Sequence, residues 1–146
     1  MGTRRLSREQ ALQVLFYIDM NGESEPDPVG LFCSVFAQEH TAGAFFHRLI
    51  KGVMDHRAAI DKVIERFSSN WKLSRMSCVD RNVLRLATFE LLYCADIPPK
   101  VSINEAIDVA KRFGTEESGA FINGILDSIR IAMQNNNLDY AAKTTQ

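Results

Sequence analysis

The chain has 146 residues, 46% of them apolar, with 17 basic and 18 acidic side chains and a formal net charge of −1. That length is about one domain and that apolar fraction supports a sizeable core, whereas balanced charge excludes a general long-range attraction for polyanions, so any nucleic-acid affinity must come from local clustering. No apolar run approaches the roughly 20 residues of a membrane span, and Cys33, Cys78 and Cys94 lack CxxC spacing and sit in or beside apolar helical stretches, as reduced thiols of a cytoplasmic, unexported protein would.

Apolar positions recur every three or four residues along almost the whole chain, and strict alternation over a strand length is scarce. The expected fold is all-α, with six or seven helices in one domain spanning residues 1–146. A basic arm over residues 1–6 precedes a first helix placed from Ser7, where Ser7 and Gln10 read as a capping box and Leu6 and Ala11 as a hydrophobic staple. It runs through Leu12, Leu15, Phe16 and Ile18 to an Asn21-Gly22 stop. Residues 22–28, GESEPDP, read as an acidic, mobile connector. Asp27-Pro28 opens a second helix with Leu31, Phe32, Val35 and Phe36 on its apolar face, ending before Gly43.

A long helical stretch from Ala44 to about Ser68 follows, with Asp55-His56-Arg57 as its candidate break. Trp71 reads as a plug at one end of the bundle, its indole N–H reaching a backbone carbonyl. Ser77 and Asp80 form an N-terminal capping pattern for a broadly apolar central helix carrying Val79, Val83, Leu84, Leu86, Leu91 and Leu92. Pro98-Pro99 ends that element. The next helix has Ser102 and Glu105 as a capping pattern and Gly114 as its stop. The last starts at Thr115 with Glu116 and Glu117 in its first turn, before a polar tail at 135–146.

Arg4, Arg5 and Arg8 crowd a helix start, where the macrodipole disfavours cations by a few tenths of a kcal/mol each. A phosphate backbone would favour them there, and so would a merely solubilising terminus. Phe113 and Phe121 flank the last helix junction and suit either base stacking or core packing. Asn123, between Ile122 and Gly124, reads as a buried amide that needs partners, bracing the turn or contacting RNA. Gly119 and Gly124 point to close helix packing. Glu117 either favours its helix N-terminus or accepts hydrogen bonds from base amino groups. His40, His47 and His56 have no metal-ligand spacing, and no nucleotide-binding or nucleophile motif is present, so neither a cofactor nor catalysis is expected.

The tract PPKVSINEAIDVAKRFGTEESGAFINGIL at 98–126 closely resembles the C-terminal motif of the NusB transcription antitermination family, RRLSREQALQVLFYID at 4–19 resembles its arginine-rich first helix, and WKLSRMSCVDRNVLRLATFELLYCADIPPKVSINEA at 71–106 its central helix and following loop. The resemblance implies two small helical bundles packed crosswise and a non-enzymatic RNA-binding subunit. Its implied partners are NusE, which is also a small-subunit ribosomal protein, boxA-containing single-stranded RNA, and other Nus factors with RNA polymerase in a larger complex that suppresses premature termination during ribosomal RNA synthesis. Carried over by position, the RNA face comprises Arg4, Arg5, Arg8, Gln13, Phe16, Lys100, Phe113, Glu117, Phe121 and Asn123, and the NusE face Asp80, Arg81 and Leu84. Phe16 stands where the family often has tyrosine, and the arginine cluster is short, which implies weak RNA binding without NusE. The competing class is a helical adaptor that never touches RNA, its arginines meeting an acidic protein surface; a third, a fragment of a ribosomal RNA cytosine methyltransferase with a NusB-like N-terminal domain, fails for want of a downstream catalytic segment unless the chain is truncated.

Overall fold

The computed structural model describes residues 3–21, 26–36, 43–69 and 71–138, apart from the side chains of residues 32, 33, 35 and 36. Among them are seven α-helices and no strand: α1 (Thr3–Asn21), α2 (Pro28–Phe36), α3 (Ala44–Asp55), α4 (Arg57–Phe67), α5 (Cys78–Tyr93), α6 (Pro99–Phe113) and α7 (Ser118–Gln134), with a 3₁₀ turn at Leu73–Arg75. Most of the acidic connector, the apolar face expected of Phe32, Val35 and Phe36, His40 and the tail beyond residue 138 lie outside the described residues.

Several helix ends follow signals within one turn of the chain. Ser77 is extended and its Oγ accepts the Asp80 N–H at 3.1 Å, starting α5 as its spacing predicts. The break expected near His56 is there: its N–H still reaches the Gly52 carbonyl at 3.0 Å, while its own carbonyl accepts from Ile60 and begins α4. Pro99 occupies the first turn of α6, where a missing N–H costs nothing. Gly114 closes that helix by donating to the Ala110 carbonyl at 2.7 Å.

Two capping expectations fail. α1 begins by Thr3, four residues before Ser7, which is buried within the helix. Residues 3–6 of the expected basic arm are therefore helical, with Arg5 held by carboxylates of α6. Ser102 likewise lies inside α6, whose N-cap is Pro98, and its hydroxyl donates to Glu90 at 2.7 Å.

α5 is the axis of the fold, with residues 82–90 all buried, and it packs against α1, α3, α4, α6 and α7. α1, α2 and α3 form one small bundle; α4, α6 and α7 gather on α5 as the other, with α6 and α7 paired as a hairpin. Phe46, Leu49, Ile60, Ile64, Leu84, Ile122, Leu126 and Ile129 are fully buried across this junction. Gly52 is what lets α3 approach α5, since the Phe89 ring fills the space a Cβ would take.

Candidate nucleic-acid interface

α1 and α6 lie side by side in matching order, and their contacts form a ladder. Arg5 donates to Glu105 Oε2 at 2.9 Å and to Asp108 Oδ2 at 2.8 Å; one turn on, Arg112 Nη1 meets both oxygens of Glu9 at 2.9 Å. Beyond that, Leu12, Gln13, Phe16 and Phe113, with Val79 from α5, line a surface cleft of about 320 Å³. Arg5 thus lies along the same helix pair that ends at Phe113. The ladder also explains why α1 tolerates cations at its start: fixed carboxylates outweigh a dipole penalty of a few tenths of a kcal/mol. The Arg5 hydrogen bond, against the opposing effect of burial, holds the Glu105 carboxyl below its ordinary range.

The three arginines differ in availability. Arg8 is only 5% exposed, and its Nε and Nη2 bind the two Glu90 oxygens at 2.8 Å each. Its guanidinium also lies 5.1 Å from the Phe45 ring centre and 3.6 Å from Glu105. Arg4 is half exposed, lies over the Phe45 ring at 4.7 Å from its centre, and pairs with Asp96 at 3.7 Å. Arg5 is intermediate, partly exposed but shared between two carboxylates.

Gln13, Glu117 and Asn123 are exposed, Phe16 is 39% exposed, and Phe113 and Phe121 are half-buried; Lys100, also exposed, lies in the first turn of α6, at the opposite end of that helix from Phe113. The Arg112 guanidinium covers the Phe113 ring at 5.2 Å. Phe121 meets Trp71 edge to face, with ring centres 6.3 Å apart.

A second polar cluster occupies the start of α5. Arg81 Nε donates to Asp19 at 2.8 Å and its Nη1 to the Leu73 and Met76 carbonyls at 3.0 Å. Asn82 and Arg85 also reach Asp19, and Arg85 makes paired bonds to Asp61. Burial alone would raise the Asp19 carboxyl, but the bonds from Arg81 and Asn82 and the charges of Arg81 and Arg85 outweigh it and hold it at about 2. Asp80 Oδ1 beside this cluster is buried without a hydrogen-bond partner.

The model of the NusB family matches residues 5–130, most of the chain. The chain belongs to the NusB family. It is 54% identical over 131 residues to the transcription antitermination protein NusB of Desulfatibacillum aliphaticivorans, covering 90% of this chain and 92% of that one. Among solved structures, T. maritima NusB superposes with a TM-score of 0.80 at 38% identity, covering 94% of this chain and 99% of that one. A chain from the crystal structure of antitermination factors NusB and NusE in complex with dsRNA does so at 0.76 and 29%, covering 88% and 96%.

Within this NusB fold, two residues carried over from the sequence motif cannot act as direct contacts. Arg8 is withdrawn from the RNA face because its guanidinium is spent on Glu90 in the interior. Leu84 is fully buried in the α5 core and cannot meet a partner. Arg81 keeps only a half-buried edge. Three structural readings also change. Asn123 is exposed, so its amide is free of the burial constraint. Gly119 is packed against Lys111 and Ile107, as expected, but Gly124 is exposed with nothing within 4 Å of where a Cβ would stand. Trp71 is 51% exposed and plugs nothing.

The residues missed from sequence are Arg112, which stacks on Phe113, and the carboxylates Glu9, Glu90, Glu105 and Asp108, which anchor the cations. Their signal was the spacing: Glu105, Asp108 and Arg112 fall at three- and four-residue steps on α6, complementary to Arg5 and Glu9 on α1.

Proposed function

We propose that this chain is a transcription antitermination protein, the RNA-binding subunit that together with NusE recognises boxA RNA and prevents premature termination during ribosomal RNA transcription. What supports this reading is the packing of α1 beside α6: Arg5 meets Glu105 and Asp108 near the amino ends of the two helices, and Phe16 and Phe113 line one cleft further along. Arg4, Arg5 and Lys100 take phosphates, and Gln13, Phe16, Phe113, Glu117, Phe121 and Asn123 present rings and amide or carboxylate groups to bases. Arg8 is a positioning residue, acting through Glu90 and Glu105. The chain works as one binding domain and not as a catalyst, and the edge of α5 near Asp80 and Arg81 is the surface we assign to NusE.

Two or three phosphate contacts give a salt slope of only about −1.4 to −2 on a single strand, at roughly 0.7 per phosphate. Arg5 must also exchange Glu105 and Asp108 for phosphate, so its net gain is small. Binding by the lone subunit is therefore weak, and NusE supplies the remaining contacts. The test is a titration of labelled boxA RNA with and without NusE. Tight, NusE-dependent binding that a scrambled RNA does not reproduce supports the reading; equal affinity for both RNAs in the presence of NusE rejects it.

A further inference from the structure

Trp71 is half exposed and leaves a large aromatic face in solvent beside Phe121. Here the exposure is built in. After α4 the chain turns through Ser69, whose φ of 54° lies in the left-handed region, and the turn closes on itself. Trp71 N–H donates to the Ser68 carbonyl at 3.0 Å, and Ser68 Oγ donates back to the Trp71 carbonyl at 2.5 Å. The backbone is thereby held while the indole projects, and the ring stands at 78° to Phe121 with centres 6.3 Å apart. The two rings are walls of an open corner.

We propose that Trp71 is a second base-stacking residue of the RNA surface, receiving the nucleotide next to the one carried by Phe121. The inference rests on the RNA-binding reading above and deepens it. Two bases lying flat on rings that meet near a right angle cannot stack on each other, so the corner demands an unstacked step, which a single strand provides and a continuous duplex resists. Two neighbours fit a nucleotide better than a protein face. Lys72, exposed and adjacent in sequence, offers a phosphate contact. Gly124, one turn beyond Phe121, is not required by internal packing, and its bare backbone admits close approach.

Trp71 is the single tryptophan of the chain, so its fluorescence reports this site directly. The experiment uses the full chain with a tryptophan-free NusE and single-stranded boxA RNA, following indole emission alongside the anisotropy of labelled RNA. The expected result is quenching with the same midpoint as the anisotropy, little quenching by an RNA duplex, about tenfold weaker RNA binding in Trp71→Ala, and near-normal binding in Trp71→Phe, which keeps a ring. Circular dichroism confirms that both variants fold. RNA that binds wild type and Trp71→Ala equally, with no change in emission, overturns the role of Trp71 and leaves the RNA-binding reading standing. Emission that changes on adding NusE and not on adding RNA makes Trp71 a protein contact and overturns it as well. No RNA binding by any form, with or without NusE, removes both.

Discussion

Replacing Arg8 with alanine separates a structural role from a phosphate-binding one. Arg8→Ala leaves Glu90, 2% exposed, with one remaining donor, the Ser102 hydroxyl at 2.7 Å. Two charge-assisted bonds at 2.8 Å disappear and a carboxylate is stranded in the core. Breaking a buried pair from one side costs about 3 to 5 kcal/mol, most of it the penalty on the survivor. For a chain of this size that lowers Tm by about 10 to 15 °C. The double replacement Arg8→Met with Glu90→Leu removes both charges while keeping volume, and should recover to within about 2 kcal/mol of wild type, the residual reflecting the orphaned Ser102 hydroxyl. Urea unfolding followed by circular dichroism measures all three proteins. An Arg8→Ala protein that loses less than about 1 kcal/mol yet no longer binds RNA would refute the reasoning, since it would mean the guanidinium serves the outer surface.

Gly52→Ala should destabilise by about 1 to 3 kcal/mol, because the new Cβ collides with the Phe89 ring between α3 and α5; RNA affinity of the folded fraction should be unchanged. Gly124→Ala should do the opposite in urea, stabilising α7 by up to about 1 kcal/mol because the position is an open helix interior, while weakening RNA binding if the backbone there is approached closely. Arg4→Ala should reduce the magnitude of the salt slope of RNA binding by about 0.7, measured from affinities at several ionic strengths, without a change in Tm. The Asp19 carboxyl lies at about 2 against an ordinary 3.8, so its contribution to stability is present above pH 4 and is lost as pH falls from about 4 through 2. Asp19→Asn should therefore flatten the acid limb of a stability-versus-pH curve, and an unaltered limb would count against the Asp19–Arg81–Arg85 network.

Local chemistry in the sequence was sufficient wherever the deciding groups are neighbours along the chain. The helical period, the Ser77 cap, the break at His56 and the stop at Gly114 each depend on atoms within one turn, so residue order alone determines them. Family motifs added the location of the corner. What only the tertiary structure decided was which of several similar residues faces outward. Arg4 and Arg8 stand one turn apart on one face of α1 and both reach Phe45, yet Glu90, far along the chain on α5, draws one inside and leaves the other in solvent. Gly119 and Gly124 share α7, and only the approach of α6 makes the first a packing residue. Trp71 was legible as a large apolar side chain, but its placement depends on where Phe121 and the closed turn at Ser68 hold it. Burial is a property of what lies opposite, and in a helical fold that is set by elements remote in sequence.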